Sequence, residues 1–453
     1  LLPPDALQLP VRRVVELLRA RHGTVVDTIL AGEARTAGEP GAVGGPIAPD
    51  ASPRWITRSR MVGVNVRTVG SLWRVVHYAL TLPDVYDAVH LLPIWEPGVV
   101  GSLYGIASWR LNDEFVDREL AAEFPAMSSA GAQLGALVAM LHLTGRSVGL
   151  DVIPHTDRFS EIVLANPAYF EWLRRDGSRI VDHRAELHEA VIEEIVGFLD
   201  EHGPADASLP GGWTPRAHEL FEETPEEVRL RVLFGSPENH EGRLDRRDRI
   251  ITRLYEAGYE PVPATMAPPF RGLAVDPQTF HDDSAGRRWY DYTITRPEAM
   301  SRVFGPLTRY KLYERRDDNV AWEIDFDAPR PEVFDYFAGH IRDLVERYGF
   351  DFMRGDMSHV QMRPAGAPLE PDRYYDPLRY VKRAVQRVRP SFAYFAETFL
   401  APANIMTYGD EVDHLEASDA EVTLGDLQSV TVGGDEFLPR LRRYSDLAST
   451  RTV

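Results

Sequence analysis

Two carboxylates and an arginine near the end of the chain have the types and spacing for chemistry. The stretch FDFMRGDMSH, residues 350–359, carries Arg354, Asp356 and His359. Residues two apart on a strand leave on the same face, so Arg354 and Asp356 point together. An arginine that close is expected to keep Asp356 ionised by lowering its pKa, which suits a nucleophile. Glu397 stands in the apolar stretch FAYFAETF, residues 392–399. Desolvation there is expected to raise its pKa and leave a protonated general acid. Two carboxyls driven apart in pKa are what cleavage of a glycosidic bond requires.

Other polar residues recur at the ends of apolar runs. AVHLLPIW, 88–95, ends at Trp95 and Glu96, and GSLYGI with Tyr104 follows. SVGLDVIPHT, 147–156, carries Asp151 and His155. Trp95 and Tyr104 offer flat faces on which a sugar ring could stack. Each residue also has a plain structural reading. Arg354–Asp356 can be a simple ion pair, the histidines satisfied core groups, Glu397 a helix cap and the aromatics packing residues. Their order along successive runs is what favours a site.

A site needs elements that bring these ends together. Runs at 61–68, 88–95, 147–156, 350–359 and 392–399 read as buried parallel strands, with a sixth at DHLEAS, 413–418. Between several of them lie helical patterns. Phe334, Phe337, Ile341, Leu344, Val345 and Tyr348 share one face; Leu378, Val381, Val385 and Val388 share another, before Pro390. Alternating strands and helices predict a parallel sheet, either a barrel or doubly wound. Asp151 and Asp356 are 205 residues apart, against about 30 for a bare βαβ unit. Residues 157–320 are therefore expected to form an insertion subdomain. The stretch 11–21 reads as a helix with Val11, Val14, Val15 and Leu18 on one face, and 31–53 as a Gly/Pro/Ala-rich linker. Residues 1–55 are expected to be an N-terminal extension, and 56–156 and 321–453 two parts of one barrel.

Composition narrows the partners. The 453 residues carry a net charge of −19 and no cysteine. Such a charge repels nucleic acid and anionic membrane surfaces, and no apolar run approaches the roughly 20 residues of a membrane span. A neutral substrate is expected. Disulfides, thiolate nucleophiles and cysteine zinc sites are excluded. A cytoplasmic location fits, with secretion left open because the chain starts at Leu1.

In combination, LLPIWEPG…GSLYGI, LDVIPHT, FDFMRGDMSH and FAETF resemble the α-amylase family of retaining glycosidases and transglycosylases, glycoside hydrolase family 13. The likeness covers about 60–450. The stretch from APPFRGLAVDPQTFHDD to VFDYFAGHIRDLVERYGFDFMRGDMSHVQ is most similar to the bacterial maltosyltransferase branch. The resemblance implies a (β/α)8 TIM-type barrel, incomplete at the C-terminus, with its insertion after the third strand. It implies Asp356 as nucleophile and Glu397 as acid/base. Arg354 would hold Asp356, Asp151 would organise the site, His155 and His359 would meet sugar hydroxyls, and Tyr104 would stack. The implied activity is maltosyl or 4-α-glucanotransferase chemistry on malto-oligosaccharides or α-glucan. An α-amylase-like hydrolase and a silent glucan-binding relative are the alternatives. No cofactor or metal is expected, and an oligomer is compatible.

The chain departs from that family in three places. DVIPHT has one residue fewer before its histidine than D-x-x-x-N-H. Val360 follows His359 where a Lys-His pair often stands. The family's further aspartate, expected past a seventh strand, has no match in context among Asp410, Asp413, Asp419, Asp426 and Asp435.

Overall fold

The computed structural model describes residues 7–33, 44–206, 216–264, 272–282, 284, 286–316, 322–357, 363, 366–397, 417–423, 433–435, 437–439, 441–442 and 446. The chain forms two compact units. One comprises Leu1–Trp95, Arg110–Pro154 and Phe334–Val453; the other comprises Glu96–Trp109 and His155–Val333.

The first unit is built on six parallel strands: β1 (Met61–Val64), β2 (Ala88–Leu91), β3 (Ser147–Val152), β4 (Phe352–Gly355), β5 (Ala393–Ala396) and β6 (Val422–Thr423). Each strand pairs with the next in chain order. A doubly wound sheet reverses its order at a switch point; a (β/α)8 barrel lays its strands down sequentially. The sheet follows the barrel order.

Prolines trim the expected runs. Without an N–H, proline ends a ladder. AVHLLPIW breaks at Pro93 into β2 and a separate strand Trp95–Pro97, and SVGLDVIPHT breaks at Pro154 into β3 and His155–Asp157. The first run stops at Val64 because the Asn65 side chain accepts from Arg67 N at 2.9 Å and caps a helical turn. The expected sixth strand is described only in part. Residues 413–416 lie outside the described residues, Ala417–Asp419 form a turn, and the strand is Val422–Thr423.

The helices that accompany this sheet include α1 (Val11–His22), α2 (Val25–Leu30), α3 (Leu72–Ala79), α4 (Ala130–Leu143), α5 (Pro331–Tyr348) and α6 (Pro377–Gln386). Ser71, Ser129 and Asp376 cap α3, α4 and α6 by accepting a backbone N–H from the first turn. Helix α4 is apolar nearly all round because it packs against β3, α3 and α2 together. Phe334, Phe337, Ile341 and Val345 of α5 are buried as their spacing predicts. In α6 the expected face holds for Leu378, Val381 and Val385; Val388 lies past the last turn and is exposed. Val11, Val14, Val15 and Leu18 of α1 are buried, and Val11 N donates to Glu119 Oε1 at 2.8 Å.

Strand alternation gives the sheet two faces. Gly355 of β4 sits against Leu378 of α6, so the face it shares with Met353 is covered by helix. On the other face, register aligns Gly63, His90, Gly149, Phe352 and Ala393 on one level, with Asp151, Arg354, Phe395 and Val422 above. The lower part of this face is apolar: Ile56, Ala88, Phe352 and Ala393 cluster, with Trp55 and Met61 against them. The Trp55 indole donates to Ser391 O at 2.8 Å.

The second unit centres on a five-stranded antiparallel sheet in the order Leu273–Asp282, Arg288–Ile294, Arg179–Asp182, Trp172–Asp176, Tyr259–Pro261. Its core includes Leu173, Ile180, Tyr292, Ile294 and Trp322. Helices His188–His202, Glu226–Phe234 and His240–Glu256 belong to the same unit. Strand His155–Asp157 pairs with Leu307–Arg309.

Candidate active site

Register, not sequence distance, assembles the charged groups of the first unit. Arg354 pairs across the ladder with Asp151, 203 residues away. Asp356 and Glu397 stand just past the last residues of β4 and β5. Asp356 N donates to Val152 O at 2.9 Å and Glu397 N to Gly355 O at 3.0 Å, so the ladder continues through both. Their carboxyls therefore emerge side by side at the C-terminal ends of neighbouring strands.

Arg354 is the hub. Its Nη1 donates to Asp151 Oδ1 at 2.7 Å and to Asp356 Oδ1 at 2.9 Å, and its Nη2 lies 2.6 Å from Glu397 Oε1. A planar guanidinium presents donors in a fixed fork, and here the fork spans three strands. Burial alone would lower the Arg354 pKa, but Asp151 and Glu397 outweigh it and push it up. Met357 follows with φ 48°, left-handed backbone uncommon for a side chain of this kind. Its N–H donates to Glu397 Oε2 at 2.8 Å. Strained backbone of this sort clusters at functional sites, and here it supplies a donor to a site carboxyl.

The charge balance departs from the expectation that Arg354 keeps Asp356 ionised. Three carboxylates surround one guanidinium. Burial first, then the charges of Asp151 and Glu397, push Asp356 up to about 8, against the opposing pull of Arg354. Asp356 and Glu397 also hydrogen-bond to one another. Ionised carboxylates only accept, so that bond requires a proton on one of the two. The two carboxyls meet because Arg354 draws both to one point.

No protein-family model matches the chain, and no curated protein matches it. Solved structures do. An α-amylase from Lactobacillus plantarum shares 14% identity over 88% of this chain and 59% of its own, with a TM-score of 0.40. A family GH13_31 enzyme shares 11% over 87% and 58%, with a TM-score of 0.39, and an α-amylase from H. orenii 12% over 78% and 51%, with 0.36. The chain spans between half and three fifths of the length of these structures.

The remaining expected site residues are distributed as follows. Trp95, in the first unit, is 3% exposed, so its ring packs inside the protein. His155 and Tyr104 lie in the second unit and meet there: the His155 ring hydrogen-bonds the Tyr104 backbone. Burial and the nearby Arg309 lower His155 to about 4, so it is neutral. Tyr104 is half-buried. His359 lies outside the described residues, as do Asp410, Asp413 and Asp426. Asp419 is engaged at the surface with Arg383 at 3.3 Å and Lys382 at 3.7 Å. Among the described residues no group of histidines and carboxylates could hold a metal ion, and no helix is long and apolar enough to cross a membrane.

Sequence reasoning missed His90. It projects from β2 on the same face as Asp151, and its Nε2 lies 3.7 Å from Asp151 Oδ2. The available signal was an imidazole in the middle of an otherwise apolar strand.

Proposed function

We propose that this chain cleaves α-1,4-glucosidic bonds of malto-oligosaccharides with retention of configuration and passes the glycosyl unit to another sugar. The observation that carries this reading is the pair Asp356 and Glu397, side by side at the ends of β4 and β5 and both held by Arg354. Double displacement needs one ionised and one protonated carboxyl. A sugar ring entering between them separates the carboxyls toward the roughly 5–5.5 Å of retaining enzymes. For double displacement Asp356 must then give up its proton, with Arg354 as its counter-charge.

An Asp356 oxygen attacks the anomeric carbon while the glycosidic C–O bond breaks and Glu397 gives its proton to the departing oxygen. In the second step Glu397 takes the proton of an incoming hydroxyl. That oxygen attacks the same carbon and the ester to Asp356 breaks. Asp151 accepts from the same Arg354 nitrogen as Asp356, fixing the nucleophile's partner. His155, His359 and Tyr104 are assigned to the sugar by the motif resemblance, as is maltosyl transfer over hydrolysis.

The test is incubation with pure maltotetraose. Longer and shorter products with little gain in reducing ends mean transfer. Rising reducing ends mean hydrolysis and overturn the transfer assignment. An unchanged substrate overturns the whole reading. Asp356→Asn and Glu397→Gln should each lower turnover by at least about a hundredfold with the circular dichroism spectrum retained.

A further inference from the structure

His90 has the features of a group built for the charged cluster beside it. Its register partners on β1 and β3 are Gly63 and Gly149, so neither neighbouring strand puts a side chain at its level. The Phe352 ring occupies the space over Gly149 and its centroid lies 6.5 Å from that of the imidazole. In this slot the ring is 5% exposed, and its Nε2 is buried with no hydrogen-bond partner. That nitrogen lies 3.7 Å from Asp151 Oδ2. A buried polar atom without a partner is costly, and Asp151 Oδ2 is about half an ångström beyond bonding range.

We infer that His90 is a positioning residue for the candidate site, its Nε2–H held for Asp151 Oδ2 so that Asp151 Oδ1 stays on Arg354. This rests on the reading of Asp356 and Glu397 as the reacting pair. Burial and the Arg354 charge lower His90 to about 3, so it works as a neutral donor and not as a proton carrier. The charged groups it meets are Asp151 on β3 and Arg354 on β4, with Asp356 and Glu397 bound to the same guanidinium. Held at both oxygens, Asp151 keeps its charge where it opposes ionisation of Asp356. Without the His90 donor the Asp151 carboxylate is held less firmly.

The test is a carboxyl titration by 13C NMR of the intact chain, with the Asp356 resonance identified by its loss in Asp356→Asn. His90→Leu fills the slot without a donor; His90→Gln puts an amide nitrogen where Nε2 stands. The leucine variant should lower the Asp356 midpoint by about half a pH unit or more, and the glutamine variant should titrate as the wild type does. A leucine variant that titrates like the wild type overturns the inference, and so does a glutamine variant that follows leucine. Should the leucine chain fail to fold, His90→Asn, whose amide falls short of Asp151, takes its place with the same two outcomes. Maltotetraose turnover by the wild type is read separately. Its absence defeats the functional reading and leaves the titration result standing.

Discussion

Replacing Asp356 by asparagine should stabilise the fold, and by more at high pH than at low. In the folded chain this carboxyl titrates at about 8 in place of 3.8. A raised folded-state value means the stability it contributes is fully present below 3.8 and is lost as pH rises through about 8. Within that window each pH unit costs the wild-type fold about 1.4 kcal/mol. From about pH 5 to about pH 8 the loss reaches about 4 kcal/mol, an upper bound because Glu397 shares the proton. Asparagine keeps the shape, can still donate to Glu397, and does not titrate. At about 2.1 cal/mol/K per residue, a chain of 453 residues moves its Tm by about 1 °C per kcal/mol. The variant should therefore gain up to about 4 °C more over the wild type at the higher pH than at the lower. Differential scanning calorimetry of both chains at the two pH values measures this. An equal gap at both, or one that shrinks with pH, would refute the shared proton.

Arg354→Lys replaces a fork that reaches three carboxylates with a point charge. It should cost about 3–5 kcal/mol by urea unfolding, because a buried carboxylate is left unpaired. Gly149→Ala would drive a Cβ into the Phe352 ring. It should cost about 1–3 kcal/mol in the same assay, with partial recovery on adding Phe352→Leu. Asp351 precedes β4, at the end of the strand away from the site, where it accepts from Val148 N and His142 Nε2, each at 2.8 Å, and pairs with Arg389. Asp351→Asn should cost about 3 kcal/mol of stability while leaving maltotetraose turnover per folded molecule unchanged.

Much of the scaffold was legible locally. The buried face of α5 and the four apolar positions of α1 came directly from helical spacing. Five strand cores lie inside the apolar runs, shortened where a proline or the Asn65 cap intervenes. Four of the six residues expected as the sixth strand lie outside the described residues, and the strand described beside β5 is Val422–Thr423. Of the expected site residues, Asp151, Arg354, Asp356 and Glu397 come together in one unit. His155 and Tyr104 meet each other in the second.

By itself the sequence determined which residues could form buried strands and that Arg354 and Asp356 leave one strand on one face. Both follow from interactions within a few residues: alternation, apolar runs and proline's missing donor. Only the tertiary structure decided that Asp151 stands level with Arg354, that Glu397 touches Asp356, and that His90 lies beside Asp151. Register between parallel strands joins segments hundreds of residues apart, and an ionisation balance is a sum over every charge brought near. The single nearby arginine foretold an ionised Asp356; burial, with the charges of Asp151 and Glu397, pushes it the other way.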